Sequence, residues 1–159
     1  MPTFGFSFPI DYMDVREPER PQRTFLTEDL CVIDDKAYFV RGCLEIPVHG
    51  AAEPFVWGVW VSLGEDDFFD FQDLLGVERR AQHAPMEGRI ASPPGPYPDS
   101  THLGARLVFR DSGIRPLVQL EPADHPLVRE QREGISNTRL AEIYDYMVHR
   151  KRRGRITTR

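Results

Sequence analysis

Cysteine is nearly absent from this 159-residue chain, which has Cys31 and Cys43 and no others. They make neither a CxxC pair nor a metal-ligand spacing, so neither a disulfide nor a zinc site is expected. Two small buried thiols in a reducing compartment is the reading they favour. No apolar run approaches the roughly 20 residues that span a bilayer, so no membrane segment is expected. The opening Met1-Pro2-Thr3-Phe4-Gly5-Phe6 lacks a basic start and an uninterrupted apolar stretch. No secretory signal is read there, and a cytoplasmic placement is expected. Glycine-rich phosphate loops are missing, since neither GxGxxG nor GxxxxGK followed by Ser or Thr occurs. HExxH and GxSxG are missing as well, which removes common zinc-protease and serine-hydrolase signatures. The histidines at 49, 83, 102, 125 and 149 are scattered, with no i, i+4 pair among them. Neither a metal nor a cofactor is expected.

Hydrophobic residues make up 40% and charged residues 28% of the chain, the balance of a folded domain rather than a disordered polymer. The length suits one core, so residues 1–149 are expected to form a single α+β domain, with 1–28 as an arm packed on it. A net charge of −5 hides an asymmetry. Residues 150–159 hold six bases and no acid, while 1–149 carry 14 bases against 25 acids, a net −11. The acidic body is a poor surface for nucleic acid, and only the basic tail is suited to meet a phosphate backbone. No aromatic residues interleave with its arginines, so the tail is expected to be a solvated, disordered terminus.

Periodicity supplies the elements. Phe4, Phe6, Phe8 and Ile10 alternate as in an edge strand, and Pro18 and Pro21 then forbid an ordinary helix interior. From Leu30 to Leu63 the period is two. A hairpin around Asp34-Asp35-Lys36 sets Cys31 opposite Phe39 to Arg41. A second turn at 49–53 places Leu44 and Ile46 beside Trp57 and Val59. The other face then carries Phe39, Arg41, Cys43 and Glu45 alongside Gly58, Trp60 and Ser62. A helix follows Gly64, opened by Glu65, Asp66 and Asp67 where the helix dipole favours acids. Four prolines between 93 and 98 make 92–100 a stiff loop or a polyproline-like segment. A further hairpin over 103–121 pairs Leu107 with Val118, and helices are expected over 126–133 and from Ser136 onward. Strands first and helices after make this α+β: an antiparallel sheet built from hairpins, with one mid-chain helix and two C-terminal helices.

Seven phrases in order resemble a bacterial family known as domain of unknown function 2199. They include Asp29-Leu30-Cys31-Val32-Ile33-Asp34, Phe39-Val40-Arg41-Gly42-Cys43-Leu44-Glu45-Ile46-Pro47 and Phe55-Val56-Trp57-Gly58-Val59-Trp60-Val61-Ser62-Leu63. Tyr97-Pro98-Asp99, Leu120-Glu121-Pro122, Asp124-His125-Pro126-Leu127 and Glu130-Gln131-Arg132-Glu133-Gly134-Ile135 continue the match, which covers about residues 4–148. The resemblance implies no activity. Relatives often begin with a cysteine-containing segment that looks metal-binding; this sequence lacks it, so no zinc role carries over.

Two constellations look chemical. The strand-to-helix corner with Glu121, Asp124 and His125 brings two carboxylates and an imidazole within five residues, the materials of a metal-assisted or acid–base hydrolase. Its plain reading is a helix cap stiffened by prolines. A sheet face holding Arg41, Glu45, Trp60, Arg106 and Gln119, with Glu121, offers a polar surface on an aromatic floor. Trp60 is expected to be partly accessible on that face unless the arm or a partner covers it. The preferred function is a non-catalytic small domain that binds a protein or small ligand through the sheet face or the 121–126 corner. The hydrolase is the alternative.

Overall fold

The chain turns on one long hairpin. In the computed structural model, which describes residues 3–157 and side chains over 4–150, strand β4 (Ala37–Ile46) pairs along its whole length with β5 (Phe55–Leu63). Around it, in chain order, lie β1 (Thr3–Gly5), 3-10 turns at Ile10–Asp14 and Glu17–Glu19, and the single-turn helix α1 (Arg20–Arg23). Strands β2 (Thr24–Leu26) and β3 (Leu30–Ile33) precede the hairpin. After it come α2 (Glu65–Leu74), β6 (Met86–Ile90), β7 (Gly104–Val108), β8 (Leu117–Leu120), α3 (Pro126–Glu133) and α4 (Asn137–Thr157). Part of the basic tail expected to be disordered, at 158–159, lies outside the described residues.

The mixed α+β composition stands, but the sheet is not the simple set of antiparallel hairpins expected. Strand order runs β1-β5-β6-β7-β8-β4-β3-β2, and the β4–β5 pairing closes β4, β5, β6, β7 and β8 into a five-stranded barrel with extra strands attached. Two pairings are parallel, β1 on β5 and β8 on β4. The physical reason is strand length. At ten and nine residues, β4 and β5 each have an outer edge with room for two neighbours. β5 takes β1 at Val56–Gly58 and β6 at Val61–Ser62. β4 takes β3 at Ala37–Val40 and β8 at Cys43, opposite Leu117. Gly42 permits that second approach, since a Cβ there would lie 2.6 Å from Val118 Cγ2 and 3.1 Å from the Pro116 carbonyl oxygen.

The inward faces hold as read, with Leu107 opposite Val118 and Leu44 opposite Trp57, but Ile46 stands opposite Phe55 and Val59 opposite Gly42 rather than the two beside each other. One core cluster gathers Leu44, Trp57, Val59, Val61, Leu107 and Val118, and α2, α3 and α4 add Phe68, Phe71, Leu127 and Ile143 to it. A second cluster lies on the other face of the hairpin. There Cys31, Phe39 and Trp60 are covered by Val15 of the arm, with Phe6 and Tyr12 packed alongside. Both cysteines are free thiols, but Cys43 is half-buried rather than buried, because it stands on the outward face of β4. No described helix is long and apolar enough to cross a membrane.

Candidate functional site

Where β8 meets β4 the barrel is joined by a single residue pair, and the strands then part. The Cys43 N–H donates to the Pro116 carbonyl at 2.9 Å. A parallel ladder would continue by giving the Glu45 N–H to the Val118 carbonyl and the Leu120 N–H to the Glu45 carbonyl. Gln131 of α3 takes both places instead. Its Nε2 donates to Val118 O at 2.7 Å and its Oε1 accepts from the Leu120 N–H at 2.8 Å. One carboxamide thus stands in for a peptide group of β4 and satisfies a strand edge that would otherwise carry open polar groups.

The strands stay apart because α3 is firmly held. His125 caps its first turn, its Nδ1 accepting from the Leu127 N–H at 3.0 Å. That fixes the proton on Nε2, which faces the carbonyl oxygens of Pro98 at 3.2 Å and Asp99 at 3.0 Å. Further along, Glu130 accepts from the Tyr97 hydroxyl at 2.7 Å and from Arg139 Nε at 2.9 Å. Burial, and then the Glu130 hydrogen bond, push the Tyr97 hydroxyl well above its ordinary value, so it stays a donor. Gly134 ends the helix at φ +83°, and Ile135 then bonds back to β4's continuation, donating to Pro47 O and accepting from the His49 N–H, each at 2.8 Å.

The parting leaves a groove of about 640 Å³. Its apolar walls are Pro47, Val48, Pro54, Leu120 and Val128, and Glu45, Gln131 and Arg132 supply polar groups. Glu45 turns its carboxylate toward Arg110 Nη1, 3.2 Å away, in a half-exposed pair. The groove's size and its mixture of apolar wall with a few convergent polar groups suit a small ligand or a short chain segment.

The residues anticipated from the sequence fall into three places. Glu45 and Gln119 line the groove. Arg106 sits opposite Gln119 on β7 and reaches Glu87 at 3.9 Å, in the same outward row. Arg41 and Trp60 form a different pair across β4 and β5, with the guanidinium 5.8 Å from the indole centroid. Trp60 is 0% exposed, and its Nε1 donates to the Phe6 carbonyl at 2.9 Å, so the arm does cover it. Burial, then the charge of Arg115, pulls the Arg41 guanidinium below its ordinary value. The 121–125 corner is opened out rather than gathered. Glu121 and Asp124 are exposed, Asp124 lies 3.7 Å from Arg129, and His125 is turned inward. Among the described residues no group of three or more His, Cys, Asp or Glu is arranged to hold a metal ion.

Residues 1–135 match the family model described as an uncharacterized protein conserved in bacteria, DUF2199. The chain belongs to this family. No curated protein and no solved structure matches it. All the groove residues named above lie within the DUF2199 stretch, whereas α4 lies beyond it. Sequence reading missed two side chains that organise this DUF2199 fold. One is Gln131. The other is Arg80, 5% exposed in the loop after α2, which donates to the carbonyls of Leu74 (3.0 Å), Arg110 (2.9 Å) and Ile114 (2.8 Å). Gln131 stands in one of the phrases shared with the family, but nothing there marks its role, and Arg80 sits in no motif.

Proposed function

We propose that this DUF2199 chain is a non-catalytic, cytoplasmic recognition domain that binds a protein or small ligand in the groove between β4 and β8. The observation that carries the reading is the parted seam. A barrel needing only stability gains by continuing the β4–β8 ladder, yet Gln131 holds the strands apart and keeps a walled groove between them. The hydrolase alternative has less support, because both ring nitrogens of His125 are engaged by backbone and Asp124 stands clear of it.

Ala52 lines the groove and is exposed, so a tryptophan there fills it without disturbing the core. The test is ligand-observed NMR with a fragment library on the full chain and on Ala52→Trp. Fragments that bind the parent and lose their signal change with Ala52→Trp support the groove. Fragments that bind both proteins equally place recognition elsewhere and refute the reading.

A further inference from the structure

The β4 edge is occupied on both sides of one residue. Arg41 N–H donates to Asp29 O at 3.0 Å and Cys43 N–H to Pro116 O at 2.9 Å. Beyond the gap, Pro47 O accepts from the Ile135 N–H, and the His49 N–H donates to Ile135 O, each at 2.8 Å. Strand alternation points the N–H and C=O of Glu45 the same way as those of Cys43 and Pro47, into the groove. The β8 groups that would have met them are taken by Gln131. Glu45 therefore presents a donor and an acceptor at the spacing of one strand residue, on a strand anchored to either side.

We infer that the occupant of this groove is an extended peptide segment with aliphatic side chains, which adds to β4 as a short strand by exchanging hydrogen bonds with the Glu45 backbone. This rests on the groove being the binding site and specifies what fills it. The stretch between Cys43 and Pro47 is about 13 Å long at strand rise, room for three or four ligand residues. One edge of the segment meets Glu45 N–H and C=O. Its alternate side chains meet Val48, Leu120 and Val128 on the apolar walls. The Glu45 side chain does not obstruct it, being drawn to Arg110.

The probe is a phage-displayed library of random linear peptides, selected on the immobilised full-length chain. An enriched peptide is then synthesised and titrated into the ¹⁵N-labelled protein. Strand addition predicts that hydrogen exchange of the Glu45 amide slows by about tenfold or more in the complex. It also predicts that N-methylation of a single ligand residue weakens binding about tenfold at one position and is tolerated at its neighbours. A peptide that loses binding to Ala52→Trp, yet leaves Glu45 exchange unchanged and tolerates every N-methylation, overturns strand addition while the groove stands. Peptides indifferent to that filled groove overturn both readings, and a selection with no enrichment over bare support overturns this one.

Discussion

Replacing Gln131 by glutamate keeps its shape and turns the donor facing Val118 O into an acceptor. The wild-type carboxamide donates to Val118 O and accepts from the Leu120 N–H. A carboxylate still accepts from Leu120 but aims a lone pair at the Val118 carbonyl. Losing one such bond costs about 0.5–1.5 kcal/mol, and leaving the acceptor facing a charge raises the figure. Because the groove admits water, the full desolvation penalty does not apply, so Gln131→Glu should be about 1–3 kcal/mol less stable than the parent at neutral pH. In a chain of this length that is a fall of about 2–4 °C in midpoint per kcal/mol. The loss should depend on pH. The native site disfavours the carboxylate, so the introduced group has a raised folded pKa against about 4.3 in the unfolded chain. Below the unfolded value the group is protonated in both states, its hydroxyl donates to Val118 O, and the variant approaches the parent. As pH rises, the unfolded state ionises first, and the difference grows until the folded value is passed. Urea unfolding of parent and variant across this range reads the difference, with Gln131→Ala as the pH-independent control. A Gln131→Glu deficit that is flat with pH, or an alanine variant as stable as the parent, would mean that the carboxamide does not hold the seam.

Four further outcomes follow from other parts of the molecule. Trp57→Ala and Trp60→Ala should each lose about 3–5 kcal/mol in urea unfolding, since both indoles are fully buried, and iodide should quench neither in the intact chain. Quenching of Trp60 would show that the arm does not cover it. Burial, with the charge of Asp11 adding, pushes the Cys31 thiol up to about 12. Its contribution to stability is therefore present below the ordinary thiol range and lost as pH rises toward that value. Alkylation at mildly alkaline pH, mapped by mass spectrometry, should mark Cys43 and spare Cys31; the reverse order would contradict the burial. Amide hydrogen bonds from Ala81 and Arg80 hold the Asp111 carboxyl below its ordinary value. Its stabilisation is present above the unfolded value and lost as pH falls, so Asp111→Asn should show a shallower acid limb in thermal melts, and an unchanged limb would be a failure. Met147 is the last buried residue of α4 among those whose side chains are described, so removing 151–159 should shift the thermal midpoint by no more than a few degrees; a fall of about ten degrees would show that the tail docks.

Local signals carried much of the architecture. Asp124 or His125, with Pro126 and Gly134, mark the two ends of α3 by the chemistry of helix termini, and the structure gives the cap to His125, the first residue to Pro126 and the terminator to Gly134. The inward faces of the β4–β5 and β7–β8 hairpins could be read because a one-residue slip would turn Leu44 or Leu107 to solvent. What could not be read was set by distant contacts. β6, with the sequence Met-Glu-Gly-Arg-Ile, buries Met86 and Ile90 at its two ends, too faint a pattern to stand out. Gly88 within it looks like a strand breaker. In place it lets β6 lie against β5, where a side chain would strike the Ser62 carbonyl. Barrel closure rests on one parallel pair, Cys43 with Leu117, and no periodicity within either strand announces it.

The groove was less legible than the fold for a related reason. Glu45 and Gln119 could be placed on an outward face from alternation alone, and both line the groove. Alternation cannot say which outward residues share a surface once a sheet curls. Arg41 and Trp60 carry the same pattern, yet they end beneath the arm, because the alternating phenylalanines of residues 4–8 extend a chain segment whose Phe6 carbonyl reaches the Trp60 indole. Gln131 is hidden more deeply. Within Glu-Gln-Arg-Glu it reads as one more polar residue on a solvated helix face, and its part depends on β8 lacking a partner at Val118 and Leu120. A site made by two strands failing to pair leaves no motif, since each strand taken alone is ordinary. Its signature is an account of where every edge N–H and C=O goes, and in this chain that account ends at Glu45.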